Sequence, residues 1–586
     1  MLFKELAEYF ENLEHISSRL EMINILADLF KKLKQEEIAK TIYLLQGVLA
    51  PPFMNLKLGI ADKIIEDAIA VSVNVSKQEI DKTYKKLGDL GLTAKQMLEQ
   101  KSKIKAFNSK DYSVIDIYDI MIKISTKTGI GSKDMKIKFL SNMLSMSSPE
   151  EAKFIVRYAL GKLRLGFGDY TILEALSVAS TNERTFKQNL EHAYNICSDL
   201  GYVGELLYSK GIDEIKNMKV TLFKPIRPAL AERVVTFHQI KEKMGDKFAV
   251  EQKYDGFRCQ IHKKNTEIKI YSRNLDETTH MFPDIAKEVL KNIHENEIIF
   301  EGEAIAFNET TNEFLPFQET IQRKRVYNIE EKIKEIPLHL FAFDLLYLNG
   351  KSYLNQEYSK RREKLEYVLK NSKLISPSVR IITDSEKELE RFFDESIENG
   401  LEGIIAKSLN AHYIAGARKF SWIKMKRSYR GELSDSLDLV ILGYYIGKGS
   451  RTEFGLGGLL CAVYNKNKDM FETISKIGTG FSELQMQKLK KELDKIKVNT
   501  KPIRVDSLIK PDIWVEPKYI ISVRADEITK SPTHTCGMEN GIGYALRFPR
   551  LILKDSAIRK DKNAEDATST HEIIEMFKQQ KLQRST

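Results

Sequence analysis

The sequence predicts a multidomain chain: an all-α N-terminal domain, an α+β central domain and a C-terminal β-barrel. Three observations predict it. Apolar residues recur at helical spacing through the first third of the chain, Pro225 and Pro228 interrupt that pattern, and beyond them short alternating runs end in charged residues or glycine turns. At 586 residues the chain is too long for one hydrophobic core, since single cores stop growing near about 250–300 residues. The boundaries expected are 1–218, 219–428 and 429–586.

In the first domain Leu6, Phe10, Leu13, Ile16, Leu20, Ile23, Ala27 and Phe30 recur at steps of three, four and seven, which builds one apolar stripe with polar residues opposite. Further on, the stretch 151–168 interleaves Lys153, Arg157, Lys162 and Arg164 with Gly161, Gly166 and Gly168 ahead of another helical pattern. Glycines let an anionic backbone approach main-chain amides, but the pattern alone favours a helix-turn-helix joint with a solvated basic face. Pro225-Ile226-Arg227-Pro228 disfavours helix and sheet alike and opens the central domain. Ser428-Tyr429-Arg430-Gly431-Glu432 reads as a hinge, after which Leu437–Gly443 and Leu459–Tyr464 are short strands with glycine turns between them, as in a small closed barrel. Gly443-Tyr444-Tyr445-Ile446-Gly447-Lys448-Gly449 looks like a phosphate loop but is one residue short between glycines and lacks Ser or Thr after the lysine, so a strand and hairpin are expected.

The chemistry concentrates in the central domain. In Glu251-Gln252-Lys253-Tyr254-Asp255-Gly256-Phe257-Arg258 a lysine sits between apolar neighbours and a nearby arginine. A lysine amine titrates near about 10.4 in water, so a nucleophilic one needs desolvation or neighbouring cations to release its proton. Ile268–Asn274 is an alternating strand that delivers Arg273 at its end, and Ile298–Ile305 is an apolar strand that carries Glu301 and Glu303. Buried acids are costly unless paired or bound to metal, which marks Glu303. Phe343 lies in a strand of its own, Glu402 precedes the strand Gly403–Lys407, and Lys424 and Lys426 alternate onto one strand face. Singly, each has a plain structural explanation as a turn cap, a core ring or a solvated face. Five such segments in one fixed order do not.

This ordered set resembles the nucleotidyltransferase motifs of ATP-dependent DNA ligases of the archaeal and replicative eukaryotic type, over nearly the whole chain. The resemblance implies a helical DNA-binding domain, an adenylation domain and a barrel of the oligonucleotide-binding (OB) type. It implies that Lys253 is adenylylated by ATP, that Glu251 reads the adenine amino group and that Phe343 stacks on the ring. Arg258, Arg273 and Arg418 are then ribose or phosphate contacts, Glu303 and Glu402 lie at the ribose and a Mg²⁺ (or Mn²⁺), and Lys424 and Lys426 touch the α-phosphate. Phe257 departs from the pattern, where archaeal relatives more often carry a polar residue. In the barrel, Ala545-Leu546-Arg547-Phe548-Pro549-Arg550 resembles the last ligase motif, which implies that Arg547 and Arg550 face the β- and γ-phosphates. The implied activity is nick sealing in double-stranded DNA during replication, repair and recombination, by a monomer. Residues 100–107 lie where such ligases resemble a sliding-clamp loop, but they lack paired aromatics, and a solvated loop is the competing reading. RNA ligases and capping guanylyltransferases share the lysine and core. The long helical domain and the Arg-Phe-Pro-Arg motif argue against them, and the intact Lys253, Glu303, Glu402 and Lys424 argue against a non-catalytic scaffold.

Composition agrees. The chain is 42% hydrophobic and 30% charged, its net charge of +10 suits a polyanionic partner, and no apolar run nears a membrane span. Met1-Leu2-Phe3-Lys4-Glu5 lacks a secretory pattern, so a cytoplasmic protein is expected. Cys197, Cys259, Cys461 and Cys536 form no C-x-x-C pair, which argues against a disulfide frame and against the zinc module of bacterial NAD-dependent ligases.

Overall fold

The computed structural model describes residues 1–585 except 103–109, 235, 309–312, 315–319, 321–322, 324–330, 332, 334, 427–435, 448–454, 479–480, 553–557 and 560–561, with Arg418 among those described by backbone alone. The clamp-like stretch falls mostly in the first gap: Gln100–Ser102 close the helix Leu90–Ser102, and residues 103–107 lie outside the described residues. The chain divides into two compact units, one of residues 1–233, 237–389 and 404–424 and the other of 234–236, 390–403 and 425–586.

The first unit begins with a succession of α-helices from Phe3–Glu14 to Ile212–Lys216. The predicted apolar stripe is split between two of them, Phe3–Glu14 and Arg19–Lys32, because Ser18 caps the second by accepting the Glu21 backbone N–H at 3.4 Å. Leu6, Phe10, Leu13, Ile23, Ala27 and Phe30 are buried, whereas Leu20, in the first turn after the cap, is 54% exposed. The cations around the glycine loop turn inward. Lys153 binds Glu11 at 2.7 Å, Arg157 bridges Glu14 at 2.8 Å and Asp89 at 3.2 Å, and Arg164 reaches the same Asp89 at 2.6 Å. These three cations therefore brace helices, and the basic face expected to be solvated at this joint is in part internally paired.

Two sheets follow the helices. One runs in the order Leu230–Arg233, Arg418–Lys426, Gly403–Ser408, Phe248–Lys253, Arg380–Thr383. The other runs Glu267–Ser272, Phe257–Lys264, Glu297–Asn308, Leu338–Leu348, Lys351–Ser352, with Ile375–Pro377 beside Leu338–Leu348. The chain crosses from the first sheet to the second through Tyr254-Asp255-Gly256, immediately after Lys253. The helices also pack on this region: Lys57 pairs with Asp276 at 2.9 Å, and the Tyr170 hydroxyl donates to the Gly416 carbonyl at 3.3 Å.

The second unit is a β-structure around Leu437–Tyr445, which pairs with Gly458–Asn465, Ile513–Val515 and Ile520–Arg524, extended by Met470–Ile477 and closed off by the helix Thr570–Ser585. It is consistent with the expected OB barrel. Gly443, the first glycine of the apparent phosphate loop, lies inside a strand where an added Cβ would meet the Ile513 carbonyl oxygen at 2.6 Å. Among the described residues no helix is long and apolar enough to cross a membrane.

Candidate active site

Lys253 is the last residue of the strand Phe248–Lys253 and is partly buried. The turn after it is fixed on both sides. Tyr254 stacks on Phe341 with centroids 4.1 Å apart and planes 8° from parallel, and its hydroxyl accepts the Val379 N–H at 3.1 Å. Gly256 comes so close to the strand Glu297–Asn308 that an added Cβ would sit 2.2 Å from the Ala304 carbonyl oxygen and 3.3 Å from Glu303 Cγ. No side chain fits there, so the glycine brings the turn that carries Lys253 against the strand that carries Glu303.

Arg258 is anchored rather than loose. Its Nε and Nη2 donate to the two oxygens of Glu301 at 3.2 and 2.8 Å, and Nη1 donates to the Ala229 carbonyl at 3.0 Å. Burial works against the charged guanidinium, but Glu301 foremost among its neighbours outweighs this and raises its pKa above the usual arginine value. Glu303, two residues on, is cross-strand partner to Arg258. The Phe343 ring is half-buried, with the Arg258 guanidinium 5.3 Å and Lys407 Nζ 5.0 Å from its centroid and Trp422 edge-on at 6.0 Å.

Glu251 is 2% exposed. Lys407 binds one carboxylate oxygen at 2.9 Å, while Arg362 at 3.3 Å and the Tyr358 hydroxyl bind the other. Burial pushes the Lys407 pKa down. Asp344 is held bidentately by Arg361, with both side chains fully buried. Sequence reasoning assigned no role to Lys407, Tyr358, Arg361, Arg362, Glu301 or Tyr413. Lys407 stood in a quoted strand, and Glu301 stood two residues from Glu303, a spacing that already signalled a polar strand face. The helix Tyr358–Leu369, rich in Lys, Arg and Glu, reads as solvated.

The remaining residues divide between the units. Arg273 is exposed, one residue past the strand Glu267–Ser272, Arg418 opens the strand Arg418–Lys426, and Lys424 is partly buried opposite Arg233 in parallel register. In the second unit Lys426 pairs with Glu402. Gly403 permits this pairing, because at φ +146° it packs where an added Cβ would lie 2.2 Å from the Met425 carbonyl oxygen. Arg547 and Arg550 flank a turn in which Phe548 has φ 51°, and they bind Glu527 at 2.6 Å and Asp526 at 3.3 Å. Further along the chain, Lys562 and Arg559 pair with Asp438 of the barrel at 2.6 and 3.7 Å. Phe257, the departure from the ligase pattern, packs edge-on against Phe282 at 5.8 Å and so serves the core.

A half-buried ring among cations, an amine on a rigid turn and a second carboxylate nearby suit a nucleotide whose phosphate is attacked by nitrogen. Among the described residues no group of three or more His, Cys, Asp or Glu gathers into a metal cage. Comparison with known proteins identifies the family. Residues 2–177 match the family model "DNA ligase N terminus", 228–426 "ATP dependent DNA ligase domain" and 452–562 "ATP dependent DNA ligase C terminal region". The "Probable DNA ligase" of Dictyoglomus turgidum is 48% identical over 585 residues, 100% of this chain and 99% of that protein. The "DNA ligase" of Nitrosopumilus maritimus is 42% identical, covering 99% of this chain and 98% of its own length. A solved structure titled "Pmar-Lig_PreS3" shares the fold with a TM-score of 0.57 at 16% identity, over 93% of this chain and 98% of its own. With the three models in order along a chain that aligns end to end with these relatives, the protein belongs to the ATP-dependent DNA ligases of the archaeal type, enzymes that seal nicks in DNA at the expense of ATP.

Proposed function

We propose that Lys253 is the adenylylated residue. Its neutral Nζ attacks the α-phosphorus of ATP, a P–N bond forms as the bond to the leaving pyrophosphate breaks, and the ammonium proton is lost to solvent. The 5′-phosphate of the nick then displaces lysine to give a 5′-adenylated end, and the 3′-hydroxyl displaces AMP to close the strand. Phe343 stacks on adenine, Glu251 accepts from its amino group, and Arg258, Arg273 and Arg418 hold ribose or phosphate. Lys424 and Lys426 offset charge at the α-phosphate, and Arg547 and Arg550 do so at the leaving pyrophosphate. Mg²⁺ usually takes one or two carboxylates together with substrate phosphates rather than an all-protein cage, and Glu303 and Glu402 fit that pattern. Bound there, the ion would supply positive charge beside the phosphates.

The observation that carries this reading is the approach of Gly256 to Ala304 and Glu303, which places the lysine turn on the carboxylate strand of the same site. Incubation with α-labelled ATP tests it: acid-labile, alkali-stable label on denatured protein is expected from the parent and none from Lys253→Ala. Label retained by that variant would mean a different nucleophile. Folding units at 1–218, 219–428 and 429–586, a monomer on the nick, a role in replication, repair and recombination, and a cytoplasmic location complete the proposal. A clamp contact through residues 100–107 belongs to it too, and failure of any clamp to stimulate sealing would remove it.

A further inference from the structure

Arg258, Gln260 and His262 alternate along the strand Phe257–Lys264 and so share one face. On a buried strand that face would ordinarily be apolar. Here Gln260 is 2% exposed and His262 is fully buried. Burying such groups is tolerated only when their hydrogen bonds are made, and their partners lie in the linker that enters the central domain. The Phe223 backbone N–H donates to His262 Nδ1 at 3.0 Å, so Nε2 carries the proton and donates to Gln260 Oε1 at 2.9 Å. Burial pushes the imidazole down to about 3, which keeps it neutral in this role. Gln260 Oε1 also accepts the Ile226 N–H at 2.7 Å, while its Nε2 donates to the Ile226 carbonyl at 2.8 Å and to Glu301 Oε1 at 3.2 Å.

Glu301 is the carboxylate that grips Arg258. The linker closes the circuit on that side as well: the Ala229 carbonyl accepts from Arg258 at 3.0 Å, the Ala229 N–H donates to the Tyr413 hydroxyl at 2.9 Å, and that hydroxyl donates to Glu301 Oε2 at 2.7 Å. The linker is thus bound at Phe223, Ile226 and Ala229, every third residue, by His262, Gln260 and Tyr413; His262 bonds Gln260, and Gln260 and Tyr413 both bond Glu301, the carboxylate that holds the guanidinium.

We propose that Gln260, His262 and Tyr413 are positioning residues that make linker residues 223–229 a wall of the nucleotide site, so that the affinity for ATP depends on how the linker is seated through Arg258. The inference rests on the reading of Arg258 as a nucleotide contact. It goes beyond that reading by assigning the linker, the segment through which the helical domain is tethered, a part in ATP binding.

The experiment is single-turnover formation of lysyl-AMP by the full-length chain across a range of ATP concentrations. In Gln260→Leu the half-saturating ATP concentration should rise about tenfold, the net size of one buried hydrogen bond, with a smaller change in the maximal rate. Tyr413→Phe removes a single oxygen atom and should shift it about threefold in the same direction. Should Gln260→Leu fail to fold, Tyr413→Phe decides alone. A merely structural network would lower the thermal midpoint and the active fraction while leaving half-saturation at the parent value, and that result in both folded variants would overturn the inference. The same assay on Arg258→Ala separates the two layers: unchanged half-saturation there would mean that the underlying assignment of Arg258 fails, whereas a shift there with parent-like Gln260→Leu and Tyr413→Phe would fail the linker inference alone.

Discussion

The two arginine sites of this ligase are built in opposite ways. Arg258 is 14% exposed, bidentate on a fully buried Glu301 and backed by a backbone carbonyl, whereas Arg547 and Arg550 are 43% and 45% exposed and each meets a partly exposed carboxylate. A cation whose counter-charge is supplied by the fold arrives pre-positioned, at a cost in desolvation that only a rigid surround can offset. A cation on a solvated turn makes weak local pairs that are readily exchanged for a phosphate. The difference teaches that the end of the site we propose for the nucleoside is part of the central core, while the end we propose for the pyrophosphate is assembled from exposed groups whose present pairs are weak.

That contrast can be broken in several places. The largest effect is expected at Lys253, where replacement by Ala should abolish lysyl-AMP formation while sealing of a pre-adenylated nick continues, since the later steps no longer need the amine. Single-turnover assays on ATP alone and on pre-adenylated nicked DNA without ATP measure both. Next, Glu301→Ala leaves a buried guanidinium without its counter-charge and should lower folding stability by about 3–5 kcal/mol, read from urea unfolding midpoints. A loss below about 1 kcal/mol, the scale of a surface pair, would show that Arg258 is not built as described. Arg550→Ala should slow lysyl-AMP formation by roughly thirty- to thousand-fold, about 2–4 kcal/mol of transition-state stabilisation, with sealing of pre-adenylated nicks much less affected. Equal slowing of both reactions would remove its proposed role at the leaving pyrophosphate. The smallest effect should follow Glu527→Gln, which removes the charge from an exposed pair with Arg547. Both stability and the first-step rate should stay within about fivefold or 1 kcal/mol of the parent, and a larger change would mean that the acidic neighbour is needed to set the arginine.

Much of this was legible before any coordinates. The helical first domain, the change of pattern at Pro225 and Pro228, and the order of Lys253, Arg273, Glu303, Phe343, Glu402 and Lys424 could be read directly, because helical and strand periodicities and short motifs are local properties of the chain. The partners of those residues could not. Arg361 and Arg362 belong to a helix whose Lys, Arg and Glu content suggests a solvated surface, yet both side chains are buried, one on Asp344 and the other on Glu251. Arg164 belonged to a basic joint expected to be solvated and instead serves Asp89 across the helical domain.

The sequence by itself determined the fold class, the family resemblance and the lysine on which the proposed chemistry depends, since these rest on patterns a few residues long. Only the tertiary structure decided which carboxylate holds Arg258, that Glu251 is enclosed by Lys407, Tyr358 and Arg362, and that Phe223, Ile226 and Ala229 of the linker bind beside the site. The physical reason is that a buried polar group must find its counterpart somewhere, and in a folded chain that counterpart lies on another strand or helix, tens to hundreds of residues away, at a place set by the packing of the whole core.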